Sequence, residues 1–484
     1  MRFLVKLHPE ITIKSKDVRK RFIRLLESNI RLILGQNHIP CAIQNQWDKI
    51  LVNIKSDAAR FGERAEYLLA RIPGIDQCLV VQESEYTDMD DIYQQVKAVW
   101  QHQLKGKTFA VRVKRKGDQP FSSTEVAAYV GGGINQFCET GGVKLKHPDV
   151  TISLEIDRNK LILVERKFKG LGGMPLPSQE DVLSLMSGGF DSGVASYQMI
   201  RRGAKTHFCF FNLGGREHEI GVREVSHYLW KNYSPSHRVK FIAVDFEPIV
   251  ADILQNVENG YMGVVLKRMM LRAASIVADN LQINGLVTGE CLGQVSSQTL
   301  SNLYVIDQAT SKLVVRPLIC SDKSDIIDVA RKIGTEDFAK SMPEYCGVIS
   351  IKPNVRAPLD KVLEEETKCD LSLIDKVVAD ANVEDIKNLG EKSEQQIVAV
   401  ESSNQLAPGD VLLDIRAPAE RDHNPLQIEH CSMAHIPFYK LSSEYSELDQ
   451  TKTYYLYCDR GVMSKMQALV LKERGFDNVK VYRP

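Results

Sequence analysis

Asp181-Val-Leu-Ser-Leu-Met-Ser-Gly-Gly-Phe-Asp-Ser-Gly193 is the stretch on which the reading of this chain turns. Val182 to Met186 is a short apolar run with strand character, Ser187-Gly188-Gly189-Phe190-Asp191-Ser192 breaks it, and Val194 to Arg202 suits a helix. Strand, glycine turn and helix in that order make a cradle for an anion. Two adjacent glycines permit tight turning and close approach of backbone N–H groups, and a helix opening at Ser192 aims the positive end of its dipole at the same place. One helix end contributes only about 0.3–1 kcal/mol at an exposed site, so such a cradle works through several convergent N–H groups. No lysine follows the glycines, so the G-x-x-x-x-G-K-[ST] pattern of enzymes that transfer a γ-phosphate is absent. The same hexapeptide also occurs as a plain Ser/Gly turn, and its neighbours must decide between the two.

From 181 to about 350, apolar strands at Val182–Met186, Thr206–Phe211, Val239–Asp245 and Gly285–Thr288 alternate with helical stretches at Val194–Arg202, Ile220–Trp230 and Met262–Asp279. That alternation calls for a doubly wound parallel sheet with helices on both faces, and ligands in such sheets sit at the carboxyl ends of the strands. Ser187–Ser192, Asn212-Leu-Gly-Gly215 and Thr288-Gly-Glu-Cys-Leu-Gly-Gln-Val-Ser-Ser-Gln-Thr299 all fall at those ends. Together they predict a nucleotide site.

The flanks read as further domains, and 484 residues allow about three or four. Residues 1–60 form a small α+β unit, with Phe22, Ile23, Leu26, Ile30 and Ile33 on one face of a helix from Lys16 to Leu34. Eight basic side chains against two acids in residues 1–24 make its other face a polyanion-facing front or an ordinary solvated surface. Residues 61–168 form a second α/β block. There Arg112, Lys114, Arg115 and Lys116 crowd a strand end, and Gly131-Gly132-Gly133 is expected to open a helix and approach a ligand, which favours phosphate contacts. Gly170-Leu-Gly-Gly-Met-Pro-Leu-Pro-Ser178 reads as a linker, because three glycines and two prolines in nine residues continue neither helix nor central strand. Residues 351–404 are expected to be an acidic connector with helix-like stretches at Leu371–Asp380 and Val383–Gly390, carrying twelve acids against five lysines over 358–402. Residues 405–484 return to α/β character.

Lys+Arg 62 equals Asp+Glu 62, so no global charge announces a partner. The N-terminus has no apolar core long enough for a signal peptide and no run of eighteen apolar residues occurs, which leads to an expected cytoplasmic protein with no membrane association. Ten cysteines without a C-x-x-C pair exclude zinc and iron–sulfur spacings and suit buried thiols in a reducing compartment. His218-Glu219 begins like a zinc-binding helix, but Val222 stands where the second histidine belongs.

These motifs carry a resemblance. Ser187–Ser192 resembles the SGGxDS loop of the PP-loop ATP pyrophosphatases, residues 61–168 resemble a THUMP RNA-binding domain beside a ferredoxin-like N-terminal unit, and 405–484 resembles a rhodanese domain. Over its whole length the chain is similar to the ThiI-type 4-thiouridine synthases. The stretches that match include Pro9-Glu-Ile-Thr-Ile-Lys-Ser15, Gly131–Gln136, Leu266-Lys-Arg-Met-Met270, Thr288–Thr299, Arg316-Pro-Leu318 with Lys323, and Met342-Pro-Glu-Tyr-Cys346.

The resemblance implies ATP and Mg²⁺ as cofactors. Leu185, Met186, Ser187, Gly188, Gly189, Ser192, Lys267, Gly289 and Gln298 would contact nucleotide, Lys323 would lie near phosphate or tRNA, and Asp191 would be catalytic and hold the metal. It further implies tRNA contact by Arg112, Lys114, Arg115 and Lys116, adenylation of a uridine at position eight, and a persulfide on Cys458 loaded by a cysteine desulfurase. Cys458 stands where the rhodanese cysteine ends a strand and opens a loop of amides, a setting that brings thiol pKa values to roughly 3.5–7.5. Cys346 has no visible activator in Pro343-Glu-Tyr-Cys346 and is structural on its own residues. By resemblance it resolves the persulfide through a Cys346–Cys458 disulfide. Sulfur delivery to a sulfur-carrier protein of thiamine synthesis is a further implied role. The competing expectations are another tRNA thiolase of the same loop class and a non-catalytic tRNA-binding sulfur relay.

Overall fold

The computed structural model describes residues 1–46, 49–55, 58–213, 215–340 and 352–389; of the C-terminal part it describes 402–407, 409–416, 421, 426, 428, 431–437, 440–441, 444–458, 464, 467–468, 471–472 and 474–483. The chain divides into two compact units. The first is Met1–Ser178 with Arg201–Gly203, and the second is Gln179–Ile200 with Ala204–Pro484.

Alternating apolar residues in the first unit build β1 (Arg2–Leu7), β2 (Cys41–Gln46), β3 (Lys49–Ile54), β4 (Ile75–Glu85), β5 (Phe109–Lys116), β6 (Val150–Asp157) and β7 (Lys160–Lys169). They form one sheet in the order β2-β3-β1-β4-β7-β6-β5, antiparallel except for β5 against β6. Helix Lys16–Gln36 buries the five apolar residues read from its spacing and keeps its basic side wet. No break falls at residue 60. Leu68 and Leu69 of helix Ala58–Leu69, with Ile75, Cys78 and Val80 of β4, share a core with Phe3, Val5 and Leu26, while β4 also pairs with β7.

The triple glycine differs from expectation. It lies inside helix Ser123–Phe137, which starts at a capping box of Ser122 and Glu125. A Cβ on Gly133 would stand 2.6 Å from the Tyr93 ring, so this glycine lets two helices pack closely rather than opening a helix. The expected linker is also packed rather than loose. Met174 and Leu176 are buried, Met174 joins the N-terminal core, and Asn29 Nδ2 donates to the Leu176 carbonyl at 2.8 Å. Turn residues set its path, and the apolar residues between them are still free to bury.

In the second unit the apolar runs become β8 (Val182–Met186), β9 (Thr206–Asn212), β10 (Lys240–Asp245), β11 (Gly285–Val287), β12 (Leu313–Val315) and β13 (Asn382–Asp385), ordered β12-β11-β8-β9-β10-β13. All neighbours are parallel except β13, which runs antiparallel to β10. The order reverses at β8, whose neighbours are β9 on one side and β11 on the other, and the glycine loop leaves its carboxyl end there.

The acidic stretch is a correction. Residues 352–389 are not a connector, because helices Leu359–Glu366 and Ser372–Ala379 place Val362, Ile374, Val377 and Val378 in the main core. Val383, expected in a helix, lies in edge strand β13, where pairing with β10 overrides local preference. Glu366 is 4% exposed and joins this segment to helix Met262–Asn280. It accepts from Arg268 Nε at 3.1 Å and Nη2 at 3.0 Å, and from Arg272 Nη2 at 3.0 Å.

Burial pushes the Glu366 carboxyl up, and the two guanidinium groups outweigh it and hold its pKa below the ordinary 4.5. Removing the partner of the buried Arg268 strands a charge, so Glu366→Ala is expected to cost about 3–5 kcal/mol in urea unfolding. The lowered pKa gives the sign of the pH dependence: the contribution is whole above about pH 4.5 and is lost as pH falls through the folded value. In Glu366→Ala that acid-dependent part of the stability curve should be missing.

The C-terminal strands β14 (Ser402–Ser403), β15 (Val411–Asp414), β16 (Ser432–His435), β17 (Tyr454–Tyr457) and β18 (Val479–Tyr482) form a wholly parallel sheet ordered β14-β18-β17-β15-β16. No helix among the described residues is long and apolar enough to cross a membrane.

Candidate active site

The helix after the glycine loop begins at Phe190, two residues earlier than the expected opening at Ser192, so Asp191 and Ser192 sit in its first turn. Gly188 turns the chain at φ +84°, a left-handed conformation that a side chain would strain. Ser192 Oγ ties the loop together: it accepts from Ser187 N at 3.2 Å and lies 3.2 Å from Ser187 Oγ. Beneath it Ser196 Oγ donates to the Ser192 carbonyl at 2.8 Å and lies 2.7 Å from Ser184 Oγ. Met186 is 4% exposed, so its side chain belongs to the core and only its backbone is left for a ligand.

Two further segments close on this loop. Gly289, just beyond β11, lies so near that a Cβ on it would stand 2.6 Å from both the Asp191 carbonyl carbon and the Ser192 nitrogen. Asp191 receives Lys323 Nζ at 2.9 and 3.0 Å on its two oxygens, and Gln294 Nε2 at 3.3 Å. Lys323 opens helix Lys323–Ile333 and also stands 5.6 Å from the centre of the Phe190 ring. Two charged residues 132 positions apart thus meet at the first turn of the loop helix.

Gln294, not singled out in the sequence, is brought in by the loop after β11. Gln298 braces that loop: its Oε1 accepts from Cys291 N at 3.3 Å and its carbonyl from Gly293 N at 3.0 Å.

Lys267 is held by a residue that pattern reading passed over. Its Nζ donates to Glu290 Oε1 at 2.7 Å, and Glu290 Oε2 accepts from Arg316 Nε at 2.8 Å and from Thr288 Oγ1 at 3.1 Å. Arg316 continues to Asp307, with Nη1 at 2.9 Å. Burial raises the Glu290 pKa, and Lys267 and Arg316 more than offset it, leaving a carboxylate below its ordinary range. An acid next to a nucleotide glycine reads as repulsive in sequence. Only the fold supplies its two cations.

Among the described residues no group of three or more acids, histidines or cysteines gathers as a metal cage. A lone carboxylate such as Asp191 fits Mg²⁺, which is commonly held by one or two carboxylates, substrate phosphates and water.

The four basic residues of β5 lie in the first unit. All four are exposed, and strand alternation puts Arg112, Lys114 and Lys116 on one face and Arg115 on the other, so they do not form one patch. Arg112 donates to the Leu145 carbonyl at 2.6 Å, Arg115 to Gln119 Oε1 at 3.1 Å, and Lys116 pairs with Glu155 at 3.1 Å.

On the C-terminal sheet Cys458 directly follows β17 and is half-buried. Ser464 N donates to its sulfur at 3.3 Å and Ser464 Oγ lies 3.4 Å away, so at least one amide is aimed at the thiol as a sulfur anion requires. On the neighbouring strand end Arg416, 4% exposed, pairs with Asp414 at 2.7 Å and lies 5.0 Å from the ring centre of Tyr457, the residue before Cys458. Cys346, and with it the expected Cys346–Cys458 pairing, lies outside the described residues.

Comparison with known proteins agrees with this architecture. The ThiI (thiamine biosynthesis protein) family model matches residues 177–371, the THUMP domain model 86–164, and the ThiI ferredoxin-like domain model 2–78. A tRNA sulfurtransferase of Aeromonas hydrophila subsp. hydrophila is 57% identical over 484 residues, and one of Shewanella piezotolerans is 57% identical over 488 residues, each match covering 100% of both chains. Among solved structures, a 4-thiouridine synthetase–RNA complex with bound ATP superposes at TM-score 0.69 with 24% identity, covering 79% of this chain and 99% of that one, a likeness of fold. With more than half of its residues identical across the full length of both relatives, the chain belongs to the tRNA sulfurtransferase family.

Proposed function

We propose that this protein thiolates a uridine of tRNA, at position eight, giving 4-thiouridine in an ATP-dependent reaction in the cytoplasm. The meeting of Lys323 and Gln294 at Asp191, beside the glycine cradle, carries the reading. The oxygen at C4 of uracil is a poor leaving group. Its attack on the α-phosphorus of ATP expels pyrophosphate and makes AMP the departing group. Charge on the pyrophosphate is met by the Ser187–Ser192 loop and by Lys323, which leaves Asp191 to take it up. Mg²⁺ held by Asp191 would supply further neutralisation. Lys267, anchored on Glu290, with Gly289 and Gln298, would hold the nucleotide.

Sulfur arrives as a persulfide on Cys458, loaded by a cysteine desulfurase onto a rhodanese-like domain, a role supported by the Ser464 amide at its sulfur. The terminal sulfur bonds to C4 as AMP leaves. The Cys346 thiolate attacks the Cys458 sulfur, the S–S bond to the substrate sulfur breaks, and a Cys346–Cys458 disulfide remains for a cellular dithiol to reduce. Arg112, Lys114 and Lys116, on one face of β5, would contact tRNA phosphates, and Arg115, on the other face, would need a separate stretch of the RNA. The family model that matches residues 177–371 is described as a thiamine biosynthesis protein, which supports a second role, sulfur delivery to the sulfur-carrier protein of thiazole formation.

The test is pyrophosphate release by the purified protein with ATP and unmodified tRNA, each omitted in turn. Release that needs both is expected. Full thiolation with ATP omitted would reduce the protein to a relay scaffold.

A further inference from the structure

His218 is the histidine that the sequence sets at the start of a zinc-like motif with no second ligand. It stands on helix Gly215–Tyr233, is 6% exposed, and its Nε2 lies 2.8 Å from the carbonyl oxygen of Ser187, the first residue of the glycine loop. A carbonyl oxygen only accepts, so Nε2 carries the proton. The ring sits edge-on against Phe210, centroids 4.8 Å apart at 85°, and Phe210 is in register with Met186, the last residue of β8. The imidazole is thus wedged behind the point where strand becomes loop.

We propose that His218 is a positioning residue that locks the Ser187–Gly188 peptide with its carbonyl turned inward, so that the Gly188 N–H points the opposite way, toward the pyrophosphate. This rests on the reading of Ser187–Ser192 as the pyrophosphate cradle. The peptide is planar with its carbonyl and N–H on opposite sides, so fixing the carbonyl fixes the N–H. An anchor is needed here because glycine tolerates either orientation of the peptide before it. Ser187 N is already committed to Ser192 Oγ, which makes Gly188 the first residue of the loop whose amide can serve an anion. Ser187 is therefore held from both sides, by Ser192 through its N–H and by His218 through its carbonyl.

The test compares the wild-type full chain with His218→Phe, His218→Leu and His218→Gln in pyrophosphate release with ATP and unmodified tRNA. Gln offers an N–H near the position of Nε2. Misdirecting one backbone donor is expected to lower kcat roughly 10–100-fold in the Phe and Leu variants. KM for ATP should move less than about threefold, because the donor acts on charge that develops as pyrophosphate leaves. His218→Gln should recover most of the lost rate, and tRNA affinity should be unchanged in all three.

Two apolar variants are made so that one that fails to melt cooperatively leaves the other to decide. Wild-type kcat in a folded apolar variant, or an equal loss in the Gln variant, overturns the proposal alone. A wild type that releases no pyrophosphate overturns the nucleotide reading and the proposal with it.

Discussion

Pyrophosphate release by Asp191→Ala is expected to fall roughly 10²–10³-fold, and tRNA from cells carrying only that variant should contain no 4-thiouridine. Asp191 is the carboxylate in the first turn of the loop helix and the partner of Lys323, so its loss removes the oxygen that in the proposed reaction would hold Mg²⁺ and frees the lysine from its resting position. The side chain is partly exposed and its hydrogen bonds go to the polar side chains of Lys323 and Gln294, so thermal unfolding should stay within a few degrees of wild type. Coupled detection of pyrophosphate and mass spectrometry of tRNA nucleosides check the two halves. Thiouridine at the wild-type level in this variant would remove the loop from the chemistry.

Cys458→Ser separates the other half of the reaction. A serine keeps the size of the side chain and its contact with Ser464 but carries no persulfide, so thiolation should drop to background in nucleosides of complemented cells. The glycine loop is untouched by the change, and pyrophosphate release should remain within about twofold of wild type, as expected when a mutation removes a group used only in a later step. If release collapsed along with thiolation, the sulfur-bearing and nucleotide-activating steps would not be separable in this way.

Loss of both readouts in Asp191→Ala and of thiolation alone in Cys458→Ser would be the signature of a reaction divided between a loop and a thiol. Such a division would also explain why neither region reads completely by itself. The glycine loop carries its chemistry in contiguous residues, whereas Lys323, Gln294 and Glu290 come from segments more than 90 residues downstream of it.

What the linear chain determined was everything that depends on neighbours along it. Strand, glycine turn and helix at 182–202 follow from apolar runs and the conformational freedom of two glycines. The five-residue face of helix Lys16–Gln36 follows from its spacing, and a cysteine after an apolar strand at 458 is visible as such. The fold alone decided what depends on distant partners. Charge composition made 351–404 a connector, but in 352–389 buried apolar residues and the Glu366–Arg268 pair make the segment part of the core. Gly131–Gly133 looked like a ligand turn until Tyr93 occupied the space beside Gly133. His218 looked like half a metal site until its imidazole met the Ser187 carbonyl. Local propensity is a property of consecutive residues, while ion pairing, close packing and the aim of a backbone amide are set by side chains that only the folded sheet brings within a few ångströms.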